Sequence, residues 1–101
     1  MHRVLQINLN RCRTAQELML RASHERDADL VIVSEQYLGA TPPRWYASAT
    51  GNAAIYVASR HLRVTEVGND DNGNWIWVEA GGIRTYSCYF SPNATIATFK
   101  R

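Results

Sequence analysis

The sequence predicts an α/β fold in which a βαβ unit is followed by an antiparallel meander. Three observations predict it. Residues 3–9 (RVLQINL) alternate, residues 15–22 carry apolar side chains at helical spacing, and residues 30–33 (LVIV) form an unbroken apolar run. Alternation is the period of a half-buried strand, and the 3.6-residue repeat is that of an amphipathic helix. An unbroken run suits a strand covered on both faces, as parallel strands are.

In the first strand Leu5, Ile7 and Leu9 fall on one face, and Val4, Gln6 and Asn8 on the other. Thr14-Ala15-Gln16-Glu17 then has the form of a capping box, in which the hydroxyl and the carboxylate satisfy each other's free backbone donors. Ala15, Leu18, Met19 and Ala22 form the apolar stripe of the helix, with Arg21, Glu25 and Arg26 on the polar side and an end near Asp27. The run at 30–33 closes on Ser34-Glu35. It is expected to lie parallel to the first strand through a right-handed crossover.

The text then changes. Residues 39–44 contain Pro42-Pro43 and read as a loop. Short strands are expected near 45–49, 53–58, 62–67, 74–80 and 83–90. Thr50-Gly51-Asn52, Asp70-Asp71-Asn72-Gly73 and Gly81-Gly82 supply the turns between them. Trp75 and Trp77 fall on one face of their strand, and Ile76 and Val78 on the other. Residues 94–101 read as the start of a helix. No repeat, low-complexity segment or linker interrupts the chain.

Composition sets the class. The chain has 101 residues, 46% hydrophobic and 20% charged, which is the makeup of one small globular domain and not of a disordered tail. A chain of this size buries only a little over half of its unfolded surface, so its stability margin is thin. Net charge is +2, and of the 11 basic residues only Lys100 is not arginine. Arginine suits bidentate phosphate contacts, and GC-rich codons account for the same bias. Two cysteines, Cys12 and Cys88, make neither a disulfide framework nor a metal-ligand spacing, so a reducing, intracellular setting is expected. No secretory signal is visible, and no segment reaches the roughly 20 apolar residues of a membrane span.

The polar residues of interest sit where strands end. Asn8 and Asn10 close the first strand, Glu35 closes the second, and Tyr89 nearly closes the last. With the βαβ unit in place, Asn8 and Glu35 meet at the carboxyl edge of a parallel pair, where such sheets bind ligands. A carboxylate beside an amide oxygen suits a hard cation, since Mg²⁺ takes one or two carboxylates plus waters and phosphate oxygens. A tyrosine hydroxyl can orient a phosphate or assist proton transfer. Spacing alone favours simpler roles: turn formation for the asparagines, a loop-opening or helix-capping position for Glu35, an ordinary strand aromatic for Tyr89. His2, His24 and His61 are scattered with no visible partner, and Arg60 and Arg84 read as solvated.

A resemblance weighs on these alternatives. Gln6-Ile7-Asn8-Leu9-Asn10, followed by Val31-Ile32-Val33-Ser34-Glu35, resembles the opening of the endonuclease/exonuclease/phosphatase family. Residues 5–15 (LQINLNRCRTA), 34–37 (SEQY) and 77–93 (WVEAGGIRTYSCYFSPN) are similar to the endonuclease domains of arthropod non-LTR retrotransposons. The resemblance implies a partial α/β sandwich, with residues 1–101 the N-terminal portion of one domain, truncated before its second half. It implies Asn8 and Glu35 as metal-binding and catalytic residues and Tyr89 as catalytic, with Asn10 and Asn93 as accessories. The chain has one residue more than the Y-x-P-N of many relatives. Tyr89 or Phe90 therefore falls at the tyrosine position, and only Tyr89 offers a hydroxyl.

The implied parent activity is Mg²⁺-dependent nicking of DNA, with Mn²⁺ as a substitute, to prime reverse transcription by a C-terminal reverse transcriptase domain; the site of action is nuclear. The family's G-D-x-N and S-D-H signatures do not occur in these residues. The fragment alone is therefore expected to be inactive, with the face that meets the missing second half of the sandwich left bare. Two other readings stand beside this one. The first is a phosphatase or apurinic-site nuclease of the same family, and the second is a non-catalytic relic with weak DNA affinity or none.

Overall fold

A computed structural model of the chain describes residues 3–36, 44–70 and 74–89. Strand β1 (Val4–Asn8), helix α1 (Arg13–Glu25) and strand β2 (Leu30–Ser34) form the expected βαβ unit. β1 and β2 are parallel and pair Val4 with Leu30 through Asn8 with Ser34. Next come β3 (Trp45–Ala47), β4 (Ala53–Val57), β5 (Val64–Asn69), β6 (Trp75–Ala80) and β7 (Ile83–Cys88). The strands divide into a four-stranded sheet, β1-β2-β4-β3, and a three-stranded sheet, β5-β6-β7.

This division corrects two expectations. The second half of the chain is not one meander. The β3–β4 hairpin joins the first sheet, because β2 is apolar on both edges of its pleat and takes β4 as an antiparallel neighbour opposite β1. Only β5, β6 and β7 form a meander. Nor does the first sheet lack a partner. Leu30, Ala53, Ile55 and Val57 pack against Ile76 and Val78 of the second sheet, and Ser87 Oγ donates across the gap to the Val33 carbonyl at 3.0 Å. The second sheet lies over β2, β4 and β3, and leaves β1 uncovered on that side. Val4 is accordingly 46% exposed and Ile83 on edge strand β7 51% exposed. Among the described residues the exposed large apolar side chains, Leu18 of α1 apart, lie on the edge strands β1, β5 and β7.

The other face of the first sheet carries the helix. Leu9, Val31, Val33, Trp45 and Ala54 are buried with Met19, and Leu5, Ala15, Leu20 and Tyr56 pack around them. The buried stripe of α1 centres on Met19 and Ser23, whose hydroxyl donates to the Leu20 carbonyl. Leu18, placed on the apolar stripe by spacing, is exposed, and Ile7 is half turned to solvent. The capping box does not form. Cys12 is the N-cap with no side-chain hydrogen bond, so Thr14 lies inside the first turn, and Glu17 instead accepts from Arg13 Nε at 3.4 Å. The helix closes at Arg26, followed by Asp27 in the left-handed region.

On the outer face of the second sheet, Trp75, Trp77 and Tyr86 form a tilted row, with ring centroids 5.7 and 6.4 Å apart. Arg84 is exposed, as expected, and is also engaged by its neighbours. Its guanidinium lies 3.9 Å from the Trp77 ring centroid and pairs with Glu79 at 3.2 Å. Trp77 also lies over its cross-strand partner Gly68, where a Cβ would clash with the indole. Gly68→Ala is expected to cost about 1–3 kcal/mol, the typical toll of overpacking. In a urea-melt double-mutant cycle, alanine at 68 should cost little more once Trp77 is also alanine; full additivity would show that the ring is not the obstacle.

Candidate active site

The parallel register brings the sequence-expected groups to one edge. Asn8 is paired with Ser34, so Glu35 emerges beside the Asn8 side chain. Asn8 Nδ2 donates to Glu35 Oε2 at 2.8 Å, while Asn8 Oδ1 accepts from the Asn10 backbone N–H at 2.8 Å. Turning the amide over would set NH₂ against N–H and oxygen against carboxylate, so both bonds fix its orientation together. The expectation of an amide oxygen beside the carboxylate is thereby revised. The amide NH₂ faces Glu35 and orients it, and Oε1 is left without a protein partner among the described residues.

The backbone around this pair is unusual. Asn10, Arg11 and Glu35 have φ of +50°, +54° and +51°. Asparagine tolerates this conformation, whereas an arginine or glutamate pays roughly 1–2 kcal/mol for it. Hydrogen bonds from neighbouring loops hold it. Leu9 N–H donates to the Ser34 carbonyl at 3.0 Å, Arg11 N–H to the Glu35 carbonyl at 2.7 Å, and Glu35 N–H to the Asn52 carbonyl at 2.8 Å. The Arg11 guanidinium reaches the Asn52 side-chain oxygen and, at 3.5 Å, the Gln36 carbonyl. Gln36 itself is buried, and its Oε1 has no hydrogen-bond partner among the described residues. Sequence reading missed Arg11 and took Asn52 for a turn residue only. Their contact bridges 41 positions, and no local pattern encodes it.

Tyr89 is placed differently. Its N–H donates to the Asn74 carbonyl at 2.9 Å, and its half-buried ring packs against the core between the sheets. Its hydroxyl makes no hydrogen bond to Asn8 or Glu35 among the described residues. Phe90 and Asn93, like the expected helix at 94–101, lie outside the described residues.

No group of three or more His, Cys, Asp or Glu gathers as a metal cage among the described residues. One carboxylate with a free oxygen does not fit zinc, which takes three or four protein ligands, but fits Mg²⁺, which keeps its waters and takes phosphate oxygens. A cavity of about 610 Å³ lies at the opposite edge of the sheet and brings together His24, His61, Arg44 and Arg60. Among the described residues no helix is long and apolar enough to cross a membrane.

Near Tyr89, burial and then the Asp70 carboxylate push the Cys88 thiol above its ordinary pKa. A raised pKa lowers the thiolate fraction at mildly alkaline pH, and the thiolate is the nucleophile. In the folded chain at pH 8.5, Cys88 should be alkylated by iodoacetamide more slowly than the same residue after guanidinium unfolding. Peptide mapping of both samples checks this, and equal rates would contradict it.

Two packed sheets, a helix on the outer face of one, and polar groups at the carboxyl end of its parallel pair define a partial α/β sandwich. No family model and no curated protein matches the chain. Among solved structures the fold is similar to the "Endonuclease domain of TRAS1, a telomere-specific non-LTR retrotransposon", with a TM-score of 0.67 and 23% identity. The match covers 97% of this chain and 50% of that one. The fold expected from the resemblance to retrotransposon endonuclease domains is the fold observed.

Proposed function

We propose that the chain is the N-terminal half of a metal-dependent DNA endonuclease domain of the retrotransposon kind, which nicks target DNA to prime reverse transcription. The observation that carries this reading is the Asn8–Glu35 pair at the carboxyl edge of β1 and β2, oriented with one carboxylate oxygen free. The likeness in fold to a retrotransposon endonuclease domain supports it.

In this reading Glu35 holds Mg²⁺ or Mn²⁺ through Oε1, and Asn8 fixes the carboxylate rotamer. A cation held there would supply Lewis-acid chemistry, polarising a phosphoryl oxygen and offsetting charge on the leaving oxygen. Helix α1 opens at the same edge with no side-chain cap and no acidic residue in its first turn, so its free N–H groups favour an approaching phosphate. Arg11 adds positive charge there. Tyr89, just beyond the end of β7, is the proposed phosphate contact from the second sheet. The groups that activate water belong to the G-D-x-N and S-D-H segments of the second half. The reverse transcriptase domain and the nuclear site of action are part of the same proposal.

Among the described residues the site holds one carboxylate and no general base, which favours inactivity in isolation. The 101-residue chain should leave supercoiled plasmid intact in Mg²⁺, since loss of catalytic partners costs several orders of magnitude. In a longer protein where this sequence runs on through both missing segments, plasmid nicking is expected, and Glu35→Ala should lower it by roughly a thousandfold or more. Nicking retained by that variant would remove Glu35 from the chemistry. Nicking by the isolated chain, surviving repurification, would overturn the half-site reading.

A further inference from the structure

We infer that Arg11 and Asn52 are positioning residues, forming a clamp that sets the Glu35 carboxylate for a divalent cation; the inference rests on the proposed role of Glu35. Glu35 is gripped on both sides of its α-carbon. Its N–H donates to the Asn52 carbonyl at 2.8 Å, and its carbonyl accepts from the Arg11 N–H at 2.7 Å. The Arg11 guanidinium closes the ring by donating to the Asn52 side-chain oxygen, with a second, longer contact to the Gln36 carbonyl at 3.5 Å. Three loops that are distant in sequence, after β1, after β2 and between β3 and β4, are thus tied at one point.

The tie has a conformational task. Arg11 and Glu35 both sit at positive φ. Non-glycine residues persist there only where their surroundings over-determine them. Relaxation of Glu35 toward ordinary φ would swing its side chain away from Asn8 Nδ2, which now holds Oε2 at 2.8 Å. The clamp therefore acts through backbone geometry, and the carboxylate is its output. Asn52 contributes both a main-chain and a side-chain oxygen, so its placement in the β3–β4 turn links that hairpin to the site.

The sign of the effect separates this role from plain electrostatics. A guanidinium near a cation site repels the cation, so removal of its charge alone strengthens metal binding. Removal of a clamp weakens it. The test titrates Mn²⁺ into the 101-residue chain by electron paramagnetic resonance, with circular dichroism confirming the fold of each variant. Wild type should bind, and Glu35→Gln should not. Arg11→Met and Asn52→Ala should each weaken binding roughly tenfold, as supporting-shell changes do. The double variant should lose no more than either single one, because both cut the same tie.

The Glu35 amide should also exchange its hydrogen faster in both variants. Unchanged or tighter Mn²⁺ binding by folded Arg11→Met, or additive losses in the double variant, would overturn the clamp. Should either substitution unfold the chain, the other carries the test alone. Absence of Mn²⁺ binding by wild type would instead overturn the metal role of Glu35, and the clamp would fall with it.

Discussion

The double burial of β2 constrains the rest of the molecule. Val31 and Val33 face the helix with no exposed surface, and Leu30 faces the second sheet almost as completely. Each such side chain contributes about 1.5–3 kcal/mol only when both layers are present. A strand of this kind cannot lie at an edge. It needs a hydrogen-bonded neighbour on each side, and the chain supplies β1 in parallel and β4 in antiparallel. Parallel pairing in turn demands a crossover, which α1 provides while covering the first face. The β5–β7 meander covers the other. Among the described residues, the large apolar side chains left bare lie on the edge strands β1, β5 and β7, with Leu18 of α1 the exception.

The site follows from the same constraint. Where an apolar strand leaves the core, its residues can turn polar, and β2 ends on Ser34 followed directly by Glu35. Parallel register puts the end of β1 beside it, so Asn8 and Glu35 come together across 27 positions without any local signal joining them. The carboxyl edge also receives the N-terminus of α1, because the helix begins where β1 stops. An orienting amide, a carboxylate and free helix N–H groups therefore share one edge as a consequence of topology.

Much of this was legible in the sequence because it is periodic. The alternation of β1, the unbroken run of β2 and the Trp75/Trp77 against Ile76/Val78 division of β6 each announce a strand and its inward face. What was illegible depends on choices between equivalent partners. Nothing in the β3–β4 hairpin distinguishes joining the first sheet from opening a meander; the open edge of β2 decides it. Thr14 and Glu17 have capping-box spacing, but the chain turns into the helix earlier, at Cys12. Arg84 is exposed as read, but its contacts with Trp77 and Glu79 were illegible because they form only across the β6–β7 hairpin. Arg11 and Asn52 were invisible for the same reason at greater range.

Asn10 shows how conformation and chemistry can be told apart in this site. Its φ of +50° explains an asparagine there, since this side chain is among the few that accept the left-handed region readily. Its backbone N–H is engaged in holding Asn8, which in turn holds Glu35. Asn10 thus serves the orientation of the carboxylate without adding a second negative charge beside it. A cation held by Glu35 would then be bound by one charged ligand, and its remaining positions would be filled by waters and phosphate oxygens. In a site built this way, metal and substrate bind each other as much as they bind the protein. The value of fixing Glu35 so firmly lies in the direction of its one free oxygen, because among the described residues no second carboxylate stands beside it to correct an error in the first.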